Sequence, residues 1–549
     1  MKIVSVLLFE LLIFSSLLCI ETSTRYPLIP QPVEIIPAQG NFIINTTTSI
    51  GIKPYNRETK KLLNYVGNYL AASLGQIHLT NADELPETGN IIFIIDDALD
   101  LKNEGYSMIV TPEVIKIKAR TTAGAFWGFQ TLRQLLPAQT ERKSQLASSL
   151  LPVPCVIIND APRFEYRGVL LDVSRHMFGV DFIKKYIDLL ASYKLNVLHW
   201  HLTDDQGWRI EIKKYPKLQE IAAFRDQTLI GHSHDRPYAF DGKPYGGYYT
   251  QQEIKELVAY AQERFITIIP EIEMPGHCLA ALAAYPELGC RGNSYATATI
   301  WGIHEDVYCA GNEKVFTFLE DILTEVLNLF PSKYIHIGGD EVLKNRWKEC
   351  AKCQALITSK ALTNEKELQS YFFNRIEKFL NDKGRRVIGW EEILEGAVAT
   401  GTTVMVWHGI EGALKASALN HNAIMTPQNY LYFDYYQSKS PYEPLAIGGY
   451  LPLQKVYEYE PISAELSTQQ AQHILGVQAN VWTEYIKDER HVEYMTCPRL
   501  MALAEITWSP ADKKNYSDFL ERLENNLDHL KAMNTQYADY EIFNSNPIE

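Results

Sequence analysis

Residues 334–341 read Tyr-Ile-His-Ile-Gly-Gly-Asp-Glu: a short apolar strand pattern, two glycines that let the chain turn, and two adjacent carboxylates. Strand ends are where barrel and open-sheet enzymes gather catalytic groups, so the pair Asp340–Glu341 puts acid/base chemistry first. A carboxylate after a strand can equally cap the next helix, and the other strand ends decide between the two readings. In chain order they carry Arg175 and His176; His199, His201, Asp204 and Asp205; Glu271, Glu273 and His277; Asp340 and Glu341; Trp390 and Glu391; Trp407 and His408; Tyr432 and Asp434; and Trp482 and Glu484. Scattered core residues would not place a polar or indole group at every exit. The set contains no Gly-rich phosphate loop and no nucleophile-elbow serine. What it offers is carboxylates as acid and base, indoles as an apolar floor for a sugar ring, and Arg, Asp and Glu as forked partners for hydroxyls. That combination points to a glycosidase.

The elements that must position these residues are eight apolar strand candidates, at 168–173, 196–202, 267–271, 334–337, 386–390, 403–407, 423–426 and 474–482. Helical patterns lie between most of them. Phe182, Tyr186, Leu189, Leu190 and Tyr193 form one stripe, Thr250 and Glu253 make a capping box, and Asn312 is placed to cap the helix that follows it. The expected fold class is α/β, a (β/α)8 TIM barrel over 161–512, in which the last two strands have weak helical partners. A smaller α+β domain is expected over 23–160, with strands at 91–95, 106–110 and 114–119 and helices at 57–74 and 121–136. Ser- and Pro-containing sequence at 144–162 marks the boundary. A C-terminal helical extension occupies 513–549.

Of 549 residues, 46% are hydrophobic and 21% charged, values that allow a large core, and the net charge of −14 offers phosphates no basic stripe. Nucleic acid is therefore not an expected partner. Lys2 and the apolar run at 3–20, broken only by Glu10 and Ser15-Ser16, read as a signal peptide over 1–22, directing the chain to a secreted, periplasmic or lysosome-like compartment. No later stretch is long and apolar enough for a transmembrane span. Secretion makes disulfides plausible, with Cys290, Cys309, Cys350 and Cys353 as candidates. The alternative for Cys350-Ala-Lys-Cys353 is a zinc half-site. No second Cys or His pair stands at zinc-site spacing, so neither a metal nor another cofactor is expected.

Four strings sharpen the reading: Arg-Gly-Val-Leu-Leu-Asp-Val-Ser-Arg-His at 167–176, His-Trp-His-Leu-Thr-Asp-Asp at 199–205, Glu-Ile-Glu-Met-Pro-Gly-His at 271–277 and His-Ile-Gly-Gly-Asp-Glu at 336–341. In order and content they resemble the β-N-acetylhexosaminidases of glycoside hydrolase family 20, over roughly 25–510. The resemblance implies an exo-acting retaining enzyme in which the substrate's own 2-acetamido oxygen attacks C1, an exception to the two-carboxylate rule. It makes Glu341 the acid/base and Asp340 the partner of the acetamido N–H. Tyr432 would bond the acetamido carbonyl, and Asp204 with His277 would tune the acid. Arg175, Asp434 and Glu484 would hold sugar hydroxyls, and Trp390, Trp407 and Trp482 would line the pocket. Implied substrates are β-N-acetylhexosaminide glycans or chito-oligosaccharides, ending in GlcNAc or GalNAc. A disaccharide-releasing specificity of the lacto-N-biosidase type, and a catalytically silent carbohydrate-binding relative, stay open as alternatives. A homodimer is carried as a candidate assembly.

Overall fold

The computed structural model describes residues 26–396, 399 and 401–539; the leader expected at 1–22 lies outside them. The first unit is a seven-stranded sheet in the order 34–44, 151–160, 106–110, 114–119, 90–95, 49–53, 78–81. Helices Arg57–Leu74 and Thr122–Leu135 bury their apolar stripes in its core. The first helix starts where expected because Asn56 accepts from the N–H groups of Glu58 and Thr59, two donors the helix itself cannot satisfy. Four of its strands, 34–44, 49–53, 78–81 and 151–160, lie outside the strands expected from sequence. Glu34–Ile44 has an irregular register, and Leu151–Asp160 lies inside the stretch read as a boundary. Its Pro152 and Pro154 pair only with the 34–44 strand, beyond the reach of the neighbour on the other side, where a missing N–H costs no ladder bond.

The second unit is a closed barrel of eight parallel strands: β1 Tyr166–Asp172, β2 Val197–His201, β3 Thr267–Glu271, β4 Tyr334–His336, β5 Arg386–Trp390, β6 Thr403–Val406, β7 Asn422–Met425 and β8 Ile474–Val481. All eight lie where the apolar runs put them. Such strands are buried on both faces and read as nearly continuous hydrophobic sequence. The capping box at Thr250–Glu253 and the Asn312 cap both form. After β7 only short helices follow, Gln428–Leu431, Leu453–Glu458 and Thr468–Ala471, as the weak pattern implied. β8 differs from expectation. Helices Glu489–Thr496 and Arg499–Trp508 follow it, and every residue of the second is buried. That helix is buried all round, Arg499 and Glu505 included, so it presents no polar face against which an amphipathic period could be detected. The closing helix Tyr516–Ala532 buries Arg522 against Glu505 at 2.5 Å, with a further bond to the Leu28 carbonyl at 2.7 Å. No helix of the described residues is long and apolar enough to cross a membrane.

The barrel register matters most for chemistry. Asp172 on β1 stands opposite His201 on β2, His201 opposite Glu271 on β3, and Glu271 opposite His336 on β4. Four polar residues thus share one level, at the C-terminal rim.

Candidate active site

Above that level lies a cavity of about 400 Å³, whose lining includes Arg175, Asp204, His277, Asp340, Glu341, Trp390, Trp407, Tyr432, Asp434, Trp482 and Glu484. All eleven residues singled out from sequence therefore meet in one place. They come from the ends of different strands, as a parallel barrel dictates.

Asp340 and Glu341 reach the cavity through an unusual turn after β4. Gly338 has φ 68° and Gly339 φ 105°, and Glu341 itself is left-handed at φ 50°. A Cβ on Gly338 would sit 1.8 Å from Glu273 Oε2, and one on Gly339 2.8 Å from Phe373 Cζ. Both glycines are thus required by conformation and by space. His277 is also left-handed, at φ 46°. Two non-glycine residues held at such φ values on facing loops mark strain retained at a site.

His277 stands at the centre. Its Nε2 lies 3.4 Å from Glu341 Oε2 and 3.7 Å from Asp340 Oδ2, while its Nδ1 hydrogen-bonds Asp205 Oδ2 at 3.0 Å. The sequence reading paired His277 with Asp204, whose Oδ1 lies 3.4 Å from the same Nδ1. Its Oδ2 is 2.8 Å from Arg175 Nη2 and 3.0 Å from His201 Nε2. Asp205, to which the sequence reading assigned no role, is a second carboxylate on His277 Nδ1. The adjacent pair was legible, but that both members turn toward the imidazole depends on the short hairpin at 203–208. Burial opposes charge on His277, yet Asp204, Asp205 and Asp340 outweigh it and hold the imidazole well above the usual histidine range. Burial acts the other way on Asp340. Helped by the negative charges of Glu392 and Glu341, and opposed by His277, it pushes the carboxyl up to about 8.

Beneath them a buried network fixes the rim. Glu271 accepts from the Trp390 indole N–H at 2.9 Å and pairs with His201 Nδ1 at 2.5 Å, and its oxygens lie 2.6 Å from His336 Nδ1 and 3.1 Å from His199 Nε2. Burial raises the cost of the Glu271 charge, but the three histidines hold it well below the ordinary carboxylate range. The network orients the Trp390 ring, which lies 5.9 Å from Trp482. Trp407 stacks near Tyr432 at 6.3 Å and 25° and donates its indole N–H to Glu392 at 3.2 Å. Four tyrosines stand at 430, 432, 435 and 436; Tyr432 and Tyr435 line the cavity, whereas Tyr430 stacks on Tyr459.

Arg175 bridges Asp172 at 3.0 Å, Asp204 at 2.8 Å and Glu484 at 3.6 Å. Both carboxylate oxygens of Asp434, Oδ1 of Asp340 and Nε2 of His277 are buried without a hydrogen-bond partner in the protein. Polar groups so placed in a cavity are what a polyhydroxylated ligand satisfies. Further wall comes from loops that sequence could not place: His232 to His234 after β2, Trp301 to Ile303 after β3, and Ile447 to Gly449 after β7. None of the four disulfide-candidate cysteines lines the cavity, and none is bonded to another.

Comparisons with known proteins agree with this geometry. Residues 164–511 match glycosyl hydrolase family 20, catalytic domain, and residues 25–161 match domain 2 of the same family. A β-hexosaminidase of Porphyromonas gingivalis is 46% identical over 91% of this chain, which spans 62% of that protein's length. One from Vibrio furnissii is 35% identical over 87% of this chain and 76% of its own. The crystal structure of an exo-β-N-acetylglucosaminidase from Vibrio harveyi, in complex with N-acetylglucosamine, superposes with a TM-score of 0.83. It is 34% identical, over 94% of this chain and 79% of that one.

Proposed function

The chain belongs to glycosyl hydrolase family 20, and on that premise we propose that it is an exo-acting β-N-acetylhexosaminidase. It removes terminal β-linked GlcNAc, and GalNAc as well, from the non-reducing ends of glycans or chito-oligosaccharides. Configuration is retained through an oxazolinium intermediate. The observation that carries this reading is that Asp340 and Glu341 face the same imidazole nitrogen, at 3.7 and 3.4 Å. Carboxylates on one side of a sugar cannot act as acid and opposed nucleophile, so the nucleophile is supplied by the substrate.

Glu341 protonates the glycosidic oxygen as the acetamido oxygen bonds to C1, and the aglycone leaves with that proton. Asp340, having released to solvent the proton that burial holds in the resting protein, accepts the acetamido N–H as a carboxylate and balances the positive ring. Glu341, now a carboxylate, takes a proton from water as the water oxygen attacks C1, which reopens the ring and restores the acetamide. An intramolecular nucleophile has already lost its translational freedom, worth up to about 7–11 kcal/mol in ideal geometry. His277, steadied by Asp205, holds the Glu341 carboxyl in place. A gradient of exposure supports exo action. The Arg175 side chain, a hydroxyl grip, is 8% exposed, and that of Glu341 is 32% exposed, so the terminal sugar sits deep and the aglycone points outward. Secretion through the 1–22 leader completes the proposal, and the N-terminal sequence of exported protein tests it.

The deciding experiment follows nitrophenyl β-GlcNAc hydrolysis by NMR, with the β-GalNAc and 2-hydroxy glucoside alongside. The β anomer is expected first, with turnover of both acetamido sugars and none of the glucoside. An α product first, or a covalent glycosyl ester on the enzyme, overturns the mechanism.

A further inference from the structure

The four cysteines bypassed by the catalytic reading converge on one point. Cys290 and Cys309 stand nineteen positions apart, bracketing the segment that follows β3, while Cys350 and Cys353 open the helix Ala351–Ser359 after β4. Cys290 Sγ lies 3.9 Å from Cys353 Sγ, and Cys309 Sγ lies 3.7 Å from both Cys350 Sγ and Cys353 Sγ. All four sulfurs fall within 4.8 Å of one another. A disulfide brings two sulfurs to about 2.05 Å and leaves other pairs apart. Here Cys309 is equidistant from two partners, so no pairing is singled out. A tetrahedral ion with Zn–S bonds of about 2.3 Å has S···S edges of about 3.8 Å, the spacing that three of these sulfur pairs show.

The surroundings support the same arrangement. Cys309, Cys350 and Cys353 are buried. Gly311 is pressed against the helix: a Cβ there would sit 2.3 Å from the Lys352 carbonyl carbon, so only glycine lets the two segments meet. The Cys309 N–H bonds the Leu288 carbonyl at 2.9 Å, and the Trp347 indole bonds that of Tyr308 at 2.9 Å, fixing both limbs of the cluster.

We propose that Cys290, Cys309, Cys350 and Cys353 form a structural tetrathiolate site for zinc. All four positions are filled by protein, so the ion carries no open site for chemistry. Its work is to tie the two ends of the 290–309 segment to the helix after β4. That segment carries Trp301, Gly302 and Ile303 to the cavity wall, and the Ala298 N–H bonds the Asp205 carbonyl at 2.9 Å. The zinc thus braces the wall on the side of the His277 carboxylate pair without touching substrate. The usual two-pair zinc spacing is absent because Cys290 and Cys309 are brought together by a long loop rather than by one knuckle.

The test uses the full chain purified without chelator or reductant. Elemental analysis is expected to show one zinc per chain. Denaturation in iodoacetamide without reductant is expected to alkylate all four cysteines. Cobalt exchanged into the site is expected to show the intense visible bands of a tetrahedral tetrathiolate. Cys353→Ser is expected to lose the metal, and Cys497→Ala, at a buried cysteine outside the cluster, to keep it. Should Cys353→Ser fail to fold, the wild-type zinc content and the cobalt spectrum still decide. Four cysteines that resist alkylation until reduced would show two disulfides and overturn the proposal. Four reactive thiols that bind neither zinc nor cobalt would do the same, and stoichiometric iron would overturn the assignment to zinc.

Discussion

Asp340→Asn separates catalysis from stability, because the two respond to the same charge in opposite directions. In the resting protein, burial raises the Asp340 carboxyl from its ordinary 3.8 to about 8. The folded chain therefore holds this proton more tightly than the unfolded chain. The stabilising contribution is complete below the unfolded value and is lost as pH rises through the folded one. Each pKa unit corresponds to about 1.4 kcal/mol, so the span from 3.8 to about 8 sets a ceiling of about 6 kcal/mol. The side chain is 16% exposed and lies 3.7 Å from His277, and solvent relaxation at an effective dielectric near 20 brings the expected effect to about 1–2 kcal/mol. Asparagine cannot ionise, so the variant avoids this loss. For a chain of this size about 1 kcal/mol moves the melting midpoint by about 1 °C. Calorimetry is expected to show the variant level with wild type near pH 4 and about 1–2 °C more stable near pH 8. In parallel kcat on nitrophenyl β-GlcNAc falls by about 10²–10³-fold, the scale of one preorganised electrostatic contact of about 3–4 kcal/mol. KM stays close to wild type, since Arg175 and Glu484 still grip the sugar. A variant that is less stable than wild type near pH 8, or whose advantage does not change with pH, would refute the electrostatic reasoning. Near-normal kcat would remove Asp340 from the chemical step.

Glu341→Gln is expected to lose most activity on substrates with poor leaving groups and far less on activated aryl glycosides, because a leaving group that departs unprotonated needs less of the acid; equal losses would count against the assignment. Asp205→Asn removes an anionic partner of His277, and kcat is expected to drop by about 10²-fold with KM little changed; the opposite split would make Asp205 a binding residue. Gly338→Ala must place a Cβ 1.8 Å from Glu273 Oε2 at φ 68°, so activity and the melting midpoint should fall together; an active, stable variant would mean that the turn can rearrange. A thiazoline analogue of the GlcNAc oxazoline is expected to inhibit more tightly than substrate binds, as a mimic of the cyclised intermediate; inhibition no stronger than that by GlcNAc itself would weigh against the oxazolinium.

The barrel was legible because each parallel strand is buried on both faces, so the chain announces it as a local apolar run, and strings such as 336–341 carry their turn and their chemistry together. The same locality explains the misses. Strand 151–160 contains prolines that local reading assigns to a boundary, and only its one-sided pairing makes them acceptable. Helix Arg499–Trp508 is buried all round and so shows no periodic face. Asp204 and Asp205 are adjacent carboxylates of the same kind, and only the folded hairpin shows that Asp204 faces both Arg175 and His277 while Asp205 bonds His277. The Asp340 charge state depends on burial and on charges from other strands. The meeting of Cys290 and Cys309 with Cys350 and Cys353 requires the segment after β3 to pack against the helix after β4. Sequence determined which elements form and which side chains stand at their ends. Tertiary structure alone decided which of those side chains touch, because hydrogen bonding, charge coupling and metal-ligand geometry act over a few ångströms between residues far apart in the chain.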